Sequence, residues 1–148
     1  MSRLAKSQRE TLRQMFGGRC AYCGELLPDR WHADHVQAVV RELAIKETNR
    51  GTYRLVSGKP SRPELDVISN FMPACPPCNI SKASMSLEHW RAWLAGHIDS
   101  LNAYNSVYRM VKKFGLVQET AAPVVFHFER TEAQARPSDG QNSDTDLT

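Results

Sequence analysis

The sequence predicts an α+β fold, a single small domain in which short strands and helices gather around a bound metal ion. Three observations point there. At 148 residues, 41% of them hydrophobic, the chain can build one core and not several. Its four cysteines stand as two close pairs, Cys20-x-x-Cys23 and Cys75-x-x-Cys78. Helical spacing of apolar residues alternates along the chain with short runs that read as strands.

Ser7-Gln8-Arg9-Glu10 has the form of a capping box, Leu12, Met15 and Phe16 make an apolar stripe, and Gly17-Gly18 supplies a stop, so a helix is expected over 8–16. Cys20 to Gly24 follows as a knuckle, its glycine permitting a tight turn. Trp31 to Val36 reads as a short strand. Residues 37–69 read as an elaborated loop between two strands, with a possible strand at Tyr53–Val56 and turns at Ser57-Gly58-Lys59-Pro60 and Ser61-Arg62-Pro63. In Pro73-Ala74-Cys75-Pro76-Pro77-Cys78 a helix should begin near Pro77, because proline has no N–H to offer and is tolerated in a helix only in its first turn. Ser86 is the expected N-cap of a further helix, since Leu87, Trp90, Leu94, Ile98 and Leu101 recur at spacings of three and four. That helix should continue through Tyr108 and Val111 towards Gly115, with Gly96 a point of interruption. Val124–Phe128 reads as a last strand. The ordered domain is thus expected over 1–130, with its helical extension at 86–115 and that strand at 124–128.

The formal charge of +3 is unevenly spread, for residues 131–148 hold Glu132, Asp139, Asp144 and Asp146 against Arg136, which leaves +6 on residues 1–130. This acidic tail, with Leu147 its one large aliphatic residue, is expected to be disordered because it cannot bury enough surface to order itself. The basic remainder suits a polyanionic partner without demanding one. No run approaches the ~18 apolar residues of a membrane span, and the start, Met1-Ser2-Arg3-Leu4-Ala5-Lys6, lacks the apolar region of a secretory signal. No membrane partner and a cytoplasmic home are therefore expected. In a reducing compartment, paired cysteines signify metal before disulfide. Two Cys-x-x-Cys knuckles match a tetrahedral Zn²⁺ site of Cys20, Cys23, Cys75 and Cys78, which would close the 51 residues between the knuckles into one loop and so be structural.

Between and just beyond the knuckles stand Trp31-His32-Ala33-Asp34-His35 and Asn70-Phe71-Met72-Pro73-Ala74-Cys75-Pro76-Pro77-Cys78-Asn79-Ile80-Ser81-Lys82. In this order the chain resembles the HNH endonucleases, small phage-type members with a four-cysteine zinc site above all, over a core of residues 20–82. The resemblance implies a ββα-metal core flanked by helices. It implies His35 as the base that activates water, Asp34 and Asn79 as ligands of a catalytic Mg²⁺ or Mn²⁺, Asn70 as the residue fixing the His35 loop through backbone hydrogen bonds, and Lys82 as a phosphate contact. The residue types suit those tasks: histidine is the side chain that exchanges protons near neutral pH, and hard oxygen ligands favour Mg²⁺ or Mn²⁺. Strict strand alternation would point Asp34 and His35 to opposite faces, so the backbone must turn at that step. The chain departs from the family in having Val36-Gln37-Ala38-Val39 and a long insert where many members have a proline and a glycine-rich turn. Its last motif residue is Asn79 where the family name implies histidine.

Other candidates read more plainly. His32 lies two residues before Asp34, placed either to line the cleft or to serve structure. His89, His97 and His127 fall outside the motif, and Trp90 and Trp93 belong to a helical stripe that reads as core. Arg41, Lys46, Arg50, Arg54, Lys59 and Arg62 make the insert basic, suited to a DNA backbone. The expected function is a metal-dependent DNA endonuclease, nicking or cleaving, in a prokaryotic or phage-infected cell. The alternatives are a non-catalytic zinc module that binds nucleic acid or protein, and a nuclease working within a phage DNA-packaging or other DNA-processing assembly.

Overall fold

The computed structural model describes residues 4–135, with side chains through 132, so residues 136–148 of the expected disordered tail lie outside the described part. The fold is α+β with two separate two-stranded antiparallel sheets. Helix α1 spans Lys6–Gln14, two residues earlier than its capping box suggested, because the Ala5 N–H donates to the Gln8 side chain at 2.8 Å and sets the start there. Strand β1, His32–His35, pairs antiparallel with the strand Phe71–Ala74, so that His35 faces Phe71 and His32 faces Ala74. Immediately after that returning strand a helix runs from Pro76 to Lys82, with Pro76 and Pro77 in the first turn, where a missing N–H costs nothing.

The long insert is where the sequence reading falls short. It is no loop with one strand but a complete hairpin, β2 at Arg41–Glu47 and β3 at Tyr53–Pro60, with the Ser57–Pro60 segment inside a strand and not in a turn. Two features hid it: the turn comes earlier, at Thr48–Thr52, and the pairing slips between Arg41 and Leu43. Gly58 belongs to that irregularity; a Cβ there would meet the Glu42 carbonyl at 2.9 Å, so the strands approach more closely than an alanine allows. The returning strand Phe71–Ala74 is therefore β4, and the helix Pro76–Lys82 is α2. Single 3₁₀ turns at Pro63–Leu65 and Ile68–Asn70 bring the chain from β3 back to β4.

The helical extension is likewise two helices, α3 at Leu87–Tyr104 and α4 at Ser106–Lys113. The break falls at Asn105 and not at Gly96, because the Asn105 side chain accepts the Tyr108 N–H and opens a new helix. Ser86 caps α3 by accepting the His89 N–H. The expected last strand is absent: Val124–Phe126 is irregular, and a helix, α5, begins at His127 and runs to Ala135 into the segment read as disordered tail. The β-formers there are overruled by what the helix start can bind. The His127 and Phe128 N–H groups donate to the carbonyls of Tyr22 and Ala21, and the Phe126 N–H donates to Glu129, while Phe126 and Phe128 go into the core.

The core gathers Leu12 of α1, Tyr22 of the first knuckle, Trp31, Phe71 of β4, Trp90 of α3, and Phe126 and Phe128. Trp90 stacks on Phe126 with ring centres 5.1 Å apart, and Tyr22 meets Trp90 edge-on at 5.2 Å. Among the described residues no helix is long and apolar enough to cross a membrane.

Candidate functional site

The first knuckle is fastened to β4 by the Ala21 N–H, which donates to the Pro73 carbonyl at 2.8 Å, and this brings Cys20 and Cys23 beside Cys75 and Cys78. All four sulfurs lie within 4.8 Å of one another, with Cys23 and Cys75 3.8 Å apart. Four thiolates at ~2.3 Å from a tetrahedral ion sit ~3.8 Å from each other, so the set fits an ion such as Zn²⁺. The Cys75 N–H donates to the Cys20 sulfur at 3.4 Å, a bond that favours thiolate. Without a cation the sulfurs hold protons among themselves: a hydrogen bond from Cys78 lowers Cys20, and the same partnership raises Cys78. A divalent ion is the counter-charge that would release them together. Gly24 follows the second cysteine at φ 81°, and a Cβ there would meet the His127 ring at 3.0 Å, so both backbone and neighbour call for glycine. Among the described residues no other three His, Cys, Asp or Glu side chains come within ligating range of one another.

The second constellation is built where β1, β4 and α2 meet. Helix α2 lies on the side of β1 that carries His32 and Asp34: the Asn79 amide nitrogen is 2.7 Å from His32 Nδ1, and Lys82 Nζ is 3.1 Å from Asp34 Oδ2. Three residues apart on one helix, Asn79 and Lys82 thus meet two residues that are two apart on one strand. Asp34 is buried and also accepts the Tyr22 hydroxyl at 2.5 Å on the same oxygen. Burial, with the Asp34 charge beside it, drives the Tyr22 phenol far above its usual range, so it stays a donor.

Lys82 departs from its expected place. It is fully buried, with Nζ given to Asp34 and, at 2.8 Å, to the His35 carbonyl, so it ties α2 to the end of β1 and does not reach out to a phosphate.

His35 ends β1, partly buried against the ring of Phe71 at 4.1 Å, with Nε2 3.0 Å from Asp66 Oδ1. Its carbonyl is held by Lys82, and the loop after it by Asn70. The Asn70 side chain accepts the Gln37 N–H at 3.0 Å and donates to the carbonyls of Gln37 and Leu65 at 2.9 and 2.8 Å. Its own carbonyl accepts the Val36 N–H. Asn70 therefore joins the residues after His35 to the segment that presents Asp66.

A surface groove of about 520 Å³ runs beside this loop, lined by Val36, Gln37, Ala38 and Arg62 on one side and by Ser84, Ser86, Leu87 and Glu88 on the other. Sequence reasoning missed Tyr22 and Asp66 and left His32 undecided. Tyr22 had a signal, a large phenol inside a metal knuckle that must find a partner once buried. Asp66 had none, since its meeting with His35 depends on how the whole insert folds back. No family model, no curated protein and no solved structure matches the chain.

Proposed function

We propose that the chain is a metal-dependent endonuclease of the HNH type that hydrolyses DNA phosphodiester bonds, with a four-cysteine zinc site as its structural support. One observation carries the reading. A histidine that is not sealed from solvent is fixed at its ring by Asp66, at its carbonyl by Lys82 and at its following loop by Asn70, as a base must be if it is to meet one water in one orientation.

His35 takes a proton from water as the water oxygen attacks phosphorus, and the bond to the leaving oxygen of the sugar breaks. For that, the ring nitrogen not engaged by Asp66 must be the acceptor, a tautomer that the carboxylate favours. Asp34 and Asn79 would hold Mg²⁺ or Mn²⁺ on the α2 side of β1; the strand runs without a turn through His35, so the base would have to reach the phosphate from the strand's end. Both contacts described for Asp34 fall on Oδ2, so Oδ1 is the oxygen that would be offered to such an ion. Such an ion would supply charge neutralisation at the phosphate. Mg²⁺ commonly takes one or two protein oxygens and completes its shell with water and phosphate, so a sparse donor set suits it.

The rival is a metal-stapled binding module without catalysis, which would use the same four-cysteine cluster as its scaffold. Supercoiled plasmid separates the two. Conversion to open-circular or linear DNA with Mg²⁺, abolished by EDTA and by His35→Ala, is the expected result; a folded, zinc-loaded protein that converts nothing in Mg²⁺ or Mn²⁺ overturns the nuclease.

A further inference from the structure

Among the described residues the β2 and β3 strands pair only with each other, a ribbon whose two faces differ. On one face Leu43, Ile45, Tyr53 and Leu55 are 67–76% exposed. The other face sets Lys46 directly opposite Arg54, and Arg50 stands in the connecting turn. Like charges directly opposite each other on a ribbon destabilise it unless an anion answers them. Among the described residues no carboxylate comes within 4.0 Å of Lys46, Arg50 or Arg54, although Glu47 lies close by. These three cations outnumber the single acid, Glu47, around a concavity of about 490 Å³ at the ribbon's end. Residues 41–60 carry five cations against Glu42 and Glu47, an excess equal to the +3 of the whole chain.

The ribbon's root is fastened beside His35. The Ser61 N–H donates to the Val40 carbonyl at 2.7 Å, Arg62 donates to the Ala38 carbonyl at 2.7 Å, and Gln37 in the same loop is the residue Asn70 holds. A strand of seven residues reaches ~23 Å from that root, about seven base pairs along a duplex. A two-stranded ribbon is also of a width that the ~12 Å major groove admits.

We infer that the β2–β3 hairpin is an arm that grips the backbone of duplex DNA through Lys46, Arg50 and Arg54 while the scissile phosphate lies at His35. The choice of DNA rests on the nuclease reading; the preference for a polyanion comes from the excess of cations on this face and at the turn. The arm supplies affinity and register and takes no part in bond breaking.

The test is anisotropy of a labelled 30-base-pair duplex with the full chain in EDTA, titrated across salt, for the parent and for Lys46→Gln, Arg50→Gln, Arg54→Gln together. Glutamine removes the charge but keeps a polar side chain, and the single Arg50→Gln guards against a triple variant that folds poorly. The triple variant should bind about 10- to 100-fold more weakly at moderate salt, with a log–log salt slope shallower by ~2.7, and the single variant with a slope shallower by ~0.9. A parent that does not bind, or variants that bind with the parent's affinity and slope, overturn the arm. So does a parent that light scattering shows to be a dimer through the apolar face with duplex affinity indifferent to these residues. Hydrolysis of bis(p-nitrophenyl) phosphate by the parent, a diester too small to touch the arm, reads the chemistry separately. Duplex binding through these residues without any diester hydrolysis upholds the arm and sinks the nuclease reading.

Discussion

Lys82 is a cation with no route to water, and its neighbours explain why it is kept: it answers the charge of Asp34 and holds the carbonyl of His35. Removing one partner of such a pair leaves the other charged in a dry place. Lys82→Met should therefore cost about 3–5 kcal/mol of unfolding free energy in urea melts, far more than the loss of a surface lysine. Asp66→Asn makes a different prediction because its partner is the ring of His35. The amide keeps the shape but not the charge that orients the imidazole, so kcat on DNA should fall roughly 10- to 100-fold with KM little changed. An unaltered kcat would remove Asp66 from the reaction. Ala83 closes α2 at φ 48°, ψ −126°, a conformation that suits glycine. Ala83→Gly should accordingly raise stability by about 1 kcal/mol, against the usual direction of that substitution.

At the scale of elements, α5 is a strap whose buckle is an ion pair. Glu129 receives two nitrogens of Arg91 on α3 and the Phe126 N–H, and the guanidinium holds its carboxyl below the usual range. A lowered value in the folded chain means the contribution is complete above the ordinary carboxylate range and disappears as pH falls through the lowered one. The melting temperature of the parent should fall more steeply between about pH 5 and pH 3 than that of Glu129→Gln; parallel curves would show that the buckle does not matter. The same strap shows where sequence reading stops. Val124–Phe128 carries a strand's residue types, but the carbonyls of Ala21 and Tyr22, a hundred residues earlier, fix a helix start there. The β2–β3 hairpin was hidden for the opposite reason: both its faces meet solvent, so no burial marks its register. The cysteine cluster, by contrast, was legible in full, because its spacing is local chemistry and its closure follows from metal geometry. Asp34, Asn70, Asn79 and Lys82 could be named from their order along the chain, yet the burial of Lys82 could not, since nothing within α2 says which of its faces meets β1.

For the whole molecule the sulfur cluster is the joint on which the rest hangs. It ties the first knuckle to the start of α2 across the 51 intervening residues, and the first knuckle in turn receives α5. Closing a loop of this length stabilises a fold by about 4 kcal/mol if the tie acts as a cross-link does. Stripping the metal with a strong chelator, or replacing Cys75 by serine, should lower the melting temperature by roughly 10–20 °C for a chain of this size. A melting curve that ignores both would refute a structural metal. The phenol of Tyr22, seated between Cys20 and Cys23 and bonded to Asp34, gives this joint a second meaning. One ring connects the sulfur cluster to Asp34, so a change in the knuckle is felt at that buried carboxylate as well as in the fold.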